Sequence, residues 1–117
     1  MKPSKPEDFR NWIGVDFDGT LAHYEGFKGD EVVGKPVPAM VKRVRGWLDE
    51  GYEVRIFTAR PPHPAIKRWC KEQFGQILPI TNRKDPGMIA MYDDRAVSVE
   101  RNTGRVFSAD SVKQVEL

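Results

Sequence analysis

The sequence predicts an α/β domain with three layers, in which helices cover both faces of a mainly parallel sheet. Short apolar segments alternate along the chain with longer segments of helical period, which is the order of parallel β-α-β units. Several apolar segments also stop abruptly at polar or charged residues. Strands of open α/β sheets end in this way at the edge where ligands bind.

Length, charge and cysteine content limit the class of protein. A chain of 117 residues, 39% of them hydrophobic, suits one core, so we expect a flexible lead-in over residues 1–10 and a single domain over 11–117. A net charge of +2 gives no electrostatic case for nucleic acid or membrane binding. Cys70 is the only cysteine, and no segment reaches the roughly 18 apolar residues of a membrane span. These features predict a soluble, cytoplasmic protein.

The first strand, over residues 12–15, ends at two carboxylates, Asp16 and Asp18. Like charges this close repel unless a cation lies between them or one of them is protonated. The pair could therefore bind a hard cation such as Mg²⁺, act as a general acid, or only form an Asx turn. The spacing excludes an EF-hand loop, because Thr20 and Phe27 occupy two of its ligand positions. The nucleotide-binding glycine motifs are absent as well.

The remaining elements follow in alternation. Residues 21–37 are rich in glycine and predict a flap or short hairpin beside the carboxylates. Helical spacing predicts one helix from residue 37 that ends at Gly51 and a second from Pro64 that ends at Gly75. Cys70 falls on the apolar face of the second helix, which predicts a buried structural thiol.

Three further strands are expected, over residues 53–57, 77–80 and 88–92. Residues 96–107 predict a hairpin around an Asn-Thr-Gly turn. Residues 108–117 predict either one weak helical turn or a frayed end.

Polar groups follow each of the four predicted strands. Thr58 follows the second, Lys84 comes after the third, and Asp93 and Asp94 follow the fourth. Because the carboxyl ends of parallel strands meet at one edge, these groups and Asp16 could together hold a cation and a phosphate. Less specific roles are also open: Thr58 could cap a turn, Lys84 could be solvated, and Asp93 could pair with the following arginine.

In this arrangement the chain resembles the haloacid dehalogenase-like (HAD-like) phosphohydrolases. The four motifs of that superfamily correspond here to IGVDFDGTLA, VRIFTAR, the lysine of TNRKDPG, and MIAMYDDRA, and the match covers residues 11–100 in the expected order. The first and fourth motifs are specific together, whereas the second and third are weak singly. The resemblance implies a Rossmann-like fold.

The resemblance also implies residue roles. Asp16 would be the nucleophile that forms an aspartyl-phosphate, and Asp18 would protonate the leaving alcohol and later activate water. Thr58 and Lys84 would act on the transferred phosphate, with Arg60 as a further substrate contact.

Mg²⁺ is the cofactor that the resemblance implies. Its ligands would be the Asp16 side chain, the Asp18 backbone carbonyl and Asp94, which aligns with the usual ligand of the fourth motif. Asp93 would be a neighbouring partner or a ligand in its own right.

No cap domain fits between these motifs, so an open site is expected, with the flap or an oligomer partner as its lid. The implied function is Mg²⁺-dependent hydrolysis of a phosphomonoester, with a small phosphometabolite or nucleotide ranked first. A polynucleotide 3′-phosphatase is an alternative, although nucleic acid is not favoured. The basic residues that could flank a nucleic-acid end are Lys28, Arg60, Arg83 and Arg95, and the rings that could stack on its bases are those of Tyr24, Phe27 and Tyr92. The other alternative is a non-catalytic cation-binding interaction domain.

Overall fold

A computed structural model describes residues 11–61 and 64–107. The predicted lead-in over 1–10 and the predicted helical turn over 108–117 lie outside these residues. The elements in chain order are β1 (Trp12–Asp16), α1 (Pro38–Asp49), β2 (Glu53–Phe57), α2 (Pro64–Phe74), β3 (Ile80–Thr81) and β4 (Met88–Tyr92). No helix within the described ranges is long and apolar enough to cross a membrane.

The four strands form one parallel sheet in the order β3-β2-β1-β4. In its register, Val15 lies between Ile56 of β2 and Tyr92 of β4. The α/β class and the parallel sheet are therefore confirmed. Since all four strands run in the same direction, the residues that follow β1, β2 and β4 emerge at the same edge.

Both helices pack on one face of the sheet. Its core joins buried side chains of β1, β2, α1 and α2, namely Ile13, Val15, Val54, Ile56, Val41, Val44, Ile66, Trp69 and Cys70. Within the described residues the two helices lie on this face alone, whereas the sequence predicts helices on both faces. Each of the steps from β1 to β2 and from β2 to β3 moves in the same direction across the sheet, so two right-handed crossovers place both helices on the same side. The return from β3 to β4 is a short loop without a helix.

A polar network around Trp12 covers part of the opposite face. The indole is fully buried, with the Arg55 guanidinium 4.4 Å from its ring centroid. Its Nε1–H donates to Asp85 Oδ1 at 2.7 Å, and this hydrogen bond is the first cause that lowers the pKa of Asp85. Arg55 Nη1 also donates to Asp85, at 3.3 Å. The network thus holds the β3–β4 loop against the sheet.

The predicted flap is a loop whose two stems are paired. The His23 N–H donates to the Lys35 carbonyl at 2.8 Å, and the Val37 N–H donates to the Leu21 carbonyl at 2.8 Å. The Trp69 indole of α2 donates to the Gly34 carbonyl at 3.0 Å. The flap is therefore attached at its base to the helical layer.

Both helices end just before the glycines that the sequence predicted, but β3 is shorter than the predicted strand. Gly51 and Gly75 follow the two helices with φ of 91° and 74°, a conformation that glycine adopts most readily. β3 covers only Ile80–Thr81, because Pro79 has no N–H to give to the ladder and contributes only its carbonyl, which accepts from Ile56 at 2.8 Å.

The predicted hairpin over 96–107 is reduced to one antiparallel bridge. Val99 pairs with Val106 around a turn in which Asn102 and Gly104 have positive φ. The turn residues were therefore assigned correctly, but the strands that they join are minimal.

Replacement of Ile56 by alanine should destabilise the protein by about 2 to 5 kcal/mol, because it removes a fully buried side chain from a central strand. Urea unfolding would measure the change. Ile77→Ala is the matched control, since Ile77 is 55% exposed and its truncation should cost much less. Equal losses in both variants would contradict the core described above.

Candidate active site

Three carboxylates converge where β1 and β4 end. Asp16 is the last residue of β1, and Asp93 and Asp94 directly follow β4. One oxygen from each of the three lies within 4.8 Å of the others. The parallel pairing of Val15 with Tyr92 causes this convergence, because it places the residues that follow them in β1 and after β4 side by side.

Thr20 joins this cluster through its hydroxyl group. Its Oγ1 lies 3.3 Å from Asp16 Oδ2 and 3.2 Å from Asp94 Oδ1, and it accepts the Asp94 N–H at 3.1 Å. One hydroxyl proton can serve only one of the two carboxylates at a time. Sequence reasoning gave Thr20 no role; the signal was a hydroxyl residue immediately after the turn glycine that follows the paired aspartates.

Gly19 allows Asp94 to approach the end of β1. Its φ is +90°, and a Cβ at this position would lie 2.6 Å from Asp94 Oδ2. Both the backbone conformation and the space therefore require glycine.

Crowding alters the acidity of Asp16. Burial, the hydrogen-bonded Asp94 and the charge of Asp93 raise its pKa from 3.8 to about 7, against the smaller lowering effect of the Thr20 hydroxyl. Asp16 forms no ion pair with a basic side chain of the described residues. A proton or a cation would relieve the repulsion in this cluster.

Asp18 has a different environment from Asp16. Arg60 Nε donates to Asp18 Oδ2 at 2.7 Å, and Arg60 Nη2 donates to Oδ1 at 3.0 Å. The pair is partly shielded, with the Arg60 side chain 8% exposed and that of Asp18 19% exposed. Two parallel bonds fix the orientation of both groups, and the pKa of Arg60 is raised mainly by its hydrogen bond to Asp18.

Arg60 also contacts the flap. Its Nη1 donates to the Gly29 carbonyl at 3.0 Å and to the Asp30 carbonyl at 3.2 Å. Its guanidinium carbon lies 5.6 Å from the centroid of the Phe27 ring. A single arginine therefore connects the end of β2, the carboxylate after β1 and the tip of the flap.

The three remaining predicted site residues lie in three different environments. Thr58 is 4% exposed, lies at the carboxyl edge, and accepts the Arg60 N–H at 3.1 Å, so its hydroxyl closes a turn. Asp93 accepts the backbone N–H of Arg95 at 2.7 Å instead of pairing with its side chain. Lys84 is exposed and next to Asp85, and it does not line the cleft that holds the carboxylates.

Two open clefts meet at the Asp18–Arg60 pair. The carboxylate cleft, of about 720 Å³, contains all the predicted acidic residues together with Thr58 and Arg60. The flap cleft, of about 370 Å³, lies under the flap. Its lining residues are Asp18, His23, Tyr24, Glu25, Gly26, Lys28, Val32, Gly34, Lys35 and Arg60.

The three converging carboxylates could hold a cation. Oxygen atoms around one Mg²⁺ lie about 3 to 4 Å apart, so small side-chain movements would bring Asp16, Asp93 and Asp94 into range. Carboxylate and hydroxyl oxygens are suitable donors for this hard ion. The Asp18 side chain is not in the cluster, because Arg60 occupies both of its oxygens. A role for the Asp18 backbone carbonyl stays a prediction.

Comparisons with known proteins support the fold alone. No protein-family model matches the chain, and no curated protein matches it significantly. The chain is similar to a solved structure described as the conserved protein coded by a locus from Bacteroides thetaiotaomicron, with 19% identity and a TM-score of 0.56 over 72% of this chain and 75% of that chain. Membership of the HAD-like superfamily stays a prediction.

The raised pKa of Asp16 predicts that cation binding depends on pH. The folded state holds the Asp16 proton more tightly than the unfolded state, so this group's contribution to stability declines as pH rises from 3.8 to about 7. A cation at the cluster must displace that proton below pH 7. Mg²⁺ should therefore raise Tm more at about pH 8 than at about pH 5. Equal shifts at both pH values, or an undiminished shift in Asp16→Asn, would contradict this.

Gly19→Ala should weaken both the fold and the cluster. Positive φ costs a residue with a Cβ about 1 to 2 kcal/mol, and the new methyl group would displace the Asp94 carboxylate. We expect a lower Tm and a smaller stabilisation by Mg²⁺. Gly46→Ala is the matched control: it lies in α1 with nothing near its Cβ position, and it should stabilise the protein by about 0.4 to 1 kcal/mol.

Proposed function

We propose that this protein is a Mg²⁺-dependent phosphomonoester hydrolase in which Asp16 accepts the phosphoryl group. One observation carries the proposal: three carboxylate oxygens converge within 4.8 Å at the end of β1, beside a fourth carboxylate with its own arginine. Phosphoryl transfer needs concentrated positive charge around the phosphate and a separate acid for the departing oxygen. A bound cation would stabilise the charged form of Asp16 for attack on phosphorus, and release from Arg60 would let Asp18 take up the proton that the departing oxygen needs.

Asp16, Asp93 and Asp94 would hold the Mg²⁺. When bound, the ion would neutralise their crowded charge and draw negative charge from the phosphate oxygens. Thr20 would orient Asp16 and Asp94 through its hydroxyl group. The raised pKa of Asp16 reflects the repulsion that a cation would remove.

The reaction would proceed in two displacements. Asp18 would first take up a proton from solvent, once Arg60 has released it. An Asp16 carboxylate oxygen then forms a bond to phosphorus while the bond from phosphorus to the ester oxygen breaks, and Asp18 gives its proton to that oxygen. Water then attacks the phosphorus of the aspartyl-phosphate and gives a proton to Asp18. The bond from phosphorus to the Asp16 oxygen breaks, phosphate leaves, and Asp18 loses its proton to solvent as it pairs with Arg60 again.

Arg60 must release Asp18 before this acid can act. A phosphate dianion can accept the same two guanidinium hydrogen bonds that Asp18 accepts in the free protein. Binding of the substrate would thus transfer Arg60 from Asp18 to the phosphate. The Asp18 carboxyl group would then be free to turn toward the ester oxygen, in the cleft that Thr58 also lines.

The open carboxylate cleft would admit a small phosphometabolite or nucleotide, and a polynucleotide 3′ end is the alternative substrate. The cytoplasmic location predicted from the single cysteine stays a prediction.

A second function, cation binding without catalysis, is favoured by one observation. Lys84, the expected phosphate contact, does not line the carboxylate cleft. An interaction domain would need only the three converging carboxylates.

Asp16→Asn should reduce hydrolysis of phosphomonoesters by at least about a thousandfold, because it removes the nucleophile. A set of phosphate esters with and without Mg²⁺ would test this, with Asp49→Asn on the exposed side of α1 as the control that keeps full activity. Turnover that survives chelation or Asp16→Asn would point to a contaminant. Binding of Mg²⁺ without turnover of any ester would favour the interaction domain.

A further inference from the structure

The flap cleft shares a wall with the carboxylate cleft. Asp18, Tyr24 and Arg60 line both of them. The three converging carboxylates line only the carboxylate cleft, whereas Lys28 and Lys35 line only the flap cleft. A molecule in the flap cleft would therefore be next to Asp18 without contact with the cation ligands.

The chemistry of an in-line displacement fixes which part of a substrate could lie there. The attacking and leaving oxygens lie on opposite sides of phosphorus. Asp16 attacks from the carboxylate cleft, and Asp18 protonates the leaving oxygen from the shared wall. The leaving group would consequently extend away from Asp16 into the flap cleft.

Charge distinguishes the flap cleft from a neutral pocket. Lys28 and Lys35 line it, and neither ammonium group has a hydrogen-bond or ion-pair partner among the described residues. The charge of Arg60 is matched by Asp18, which leaves Glu25 as the one remaining carboxylate of this lining. Two lysines against one glutamate give the cleft an excess of positive charge.

We propose that the flap cleft is the leaving-group subsite and that Lys28 and Lys35 select phosphate esters whose leaving group carries a second negative charge. This inference rests on the proposed function. The cleft volume of about 370 Å³ is near the lower end of the range for small-molecule sites. The 46% exposed Tyr24 offers a ring on which a planar group could stack.

Both a nucleoside and a short sugar acid could carry the second charge, and matched pairs of esters separate these sources. Adenosine 3′,5′-bisphosphate would be compared with adenosine 3′-monophosphate, and 2-phosphoglycerate with glycerol 2-phosphate. Within each pair the main difference is that one ester has a negatively charged leaving group and the other has an uncharged one. We expect kcat/KM to favour the doubly charged member by about tenfold, through KM, since two exposed ammonium groups each form a weak ion pair. A preference in one pair alone would identify the source.

The double variant Lys28→Ala, Lys35→Ala should lose this preference, because KM should rise for the doubly charged ester of each pair more than for its singly charged partner. Lys42→Ala with Lys67→Ala is the matched control, because it removes the same net charge from exposed positions on the two helices. An unchanged preference in the flap variant, or an equal loss in the helix variant, would overturn the subsite.

A binding measurement separates the subsite from the proposed catalysis. Calorimetry with a chelator present would compare adenosine 5′-monophosphate with adenosine on the wild type and on both double variants. Tighter binding of the monophosphate, lost only in the flap variant, supports the subsite even if no ester is hydrolysed, in which case the proposed function alone fails. Equal binding of the two molecules by the wild type overturns the subsite whatever the rates of hydrolysis.

Discussion

The parallel pairing of β1 with β4 is the constraint on which the site depends. These strands lie side by side although they are far apart in the chain, and Thr20 and Asp94, which bond across them, are 74 positions apart. At the opposite edge, the Trp12 N–H donates to the Gly87 carbonyl at 2.8 Å. The indole of the same residue holds Asp85. These two contacts fix the β3–β4 loop at the start of β4. The register of β1 and β4 then determines where the carboxylates at the ends of the two strands lie.

Opposite electrostatic surroundings distinguish Asp16 from Asp18, although only one residue separates them in the chain. Asp16 faces two acidic neighbours, and its charged form is disfavoured. Asp18 faces a guanidinium group that bonds both of its oxygens. Sites that use two carboxylates for two tasks depend on such a difference, because identical environments would give them identical behaviour. The strand-turn geometry creates the difference by directing one side chain to β4 and the other to β2.

Local sequence patterns were sufficient for most elements and for the edge where the acidic residues meet. Periodicity and turn residues predicted β1, β2, β4 and both helices, because these features depend on neighbours in the chain. The side of the sheet that the helices cover depends on strand order, which periodicity does not contain.

Individual contacts were harder to predict than elements. The bond of Thr20 to Asp94 and the two bonds of Arg60 to Asp18 join distant segments, so the sequence named Arg60 but not its partner. Lys84 follows the third strand as expected, yet the loop turns back at once toward the start of β4. Lys84 therefore lies outside the carboxylate cleft, although its place after the third strand predicted it there.

Cys70 gives the core a chemical reporter. Its side chain is fully buried between α2 and the sheet, and burial raises the pKa of its thiol. A thiol reagent reacts with the thiolate, so it can reach this sulfur only when the helix separates from the sheet. Since the chain has one cysteine, every labelled molecule records the same opening event. The labelling rate would thus measure how often the helical layer detaches, with no engineered probe.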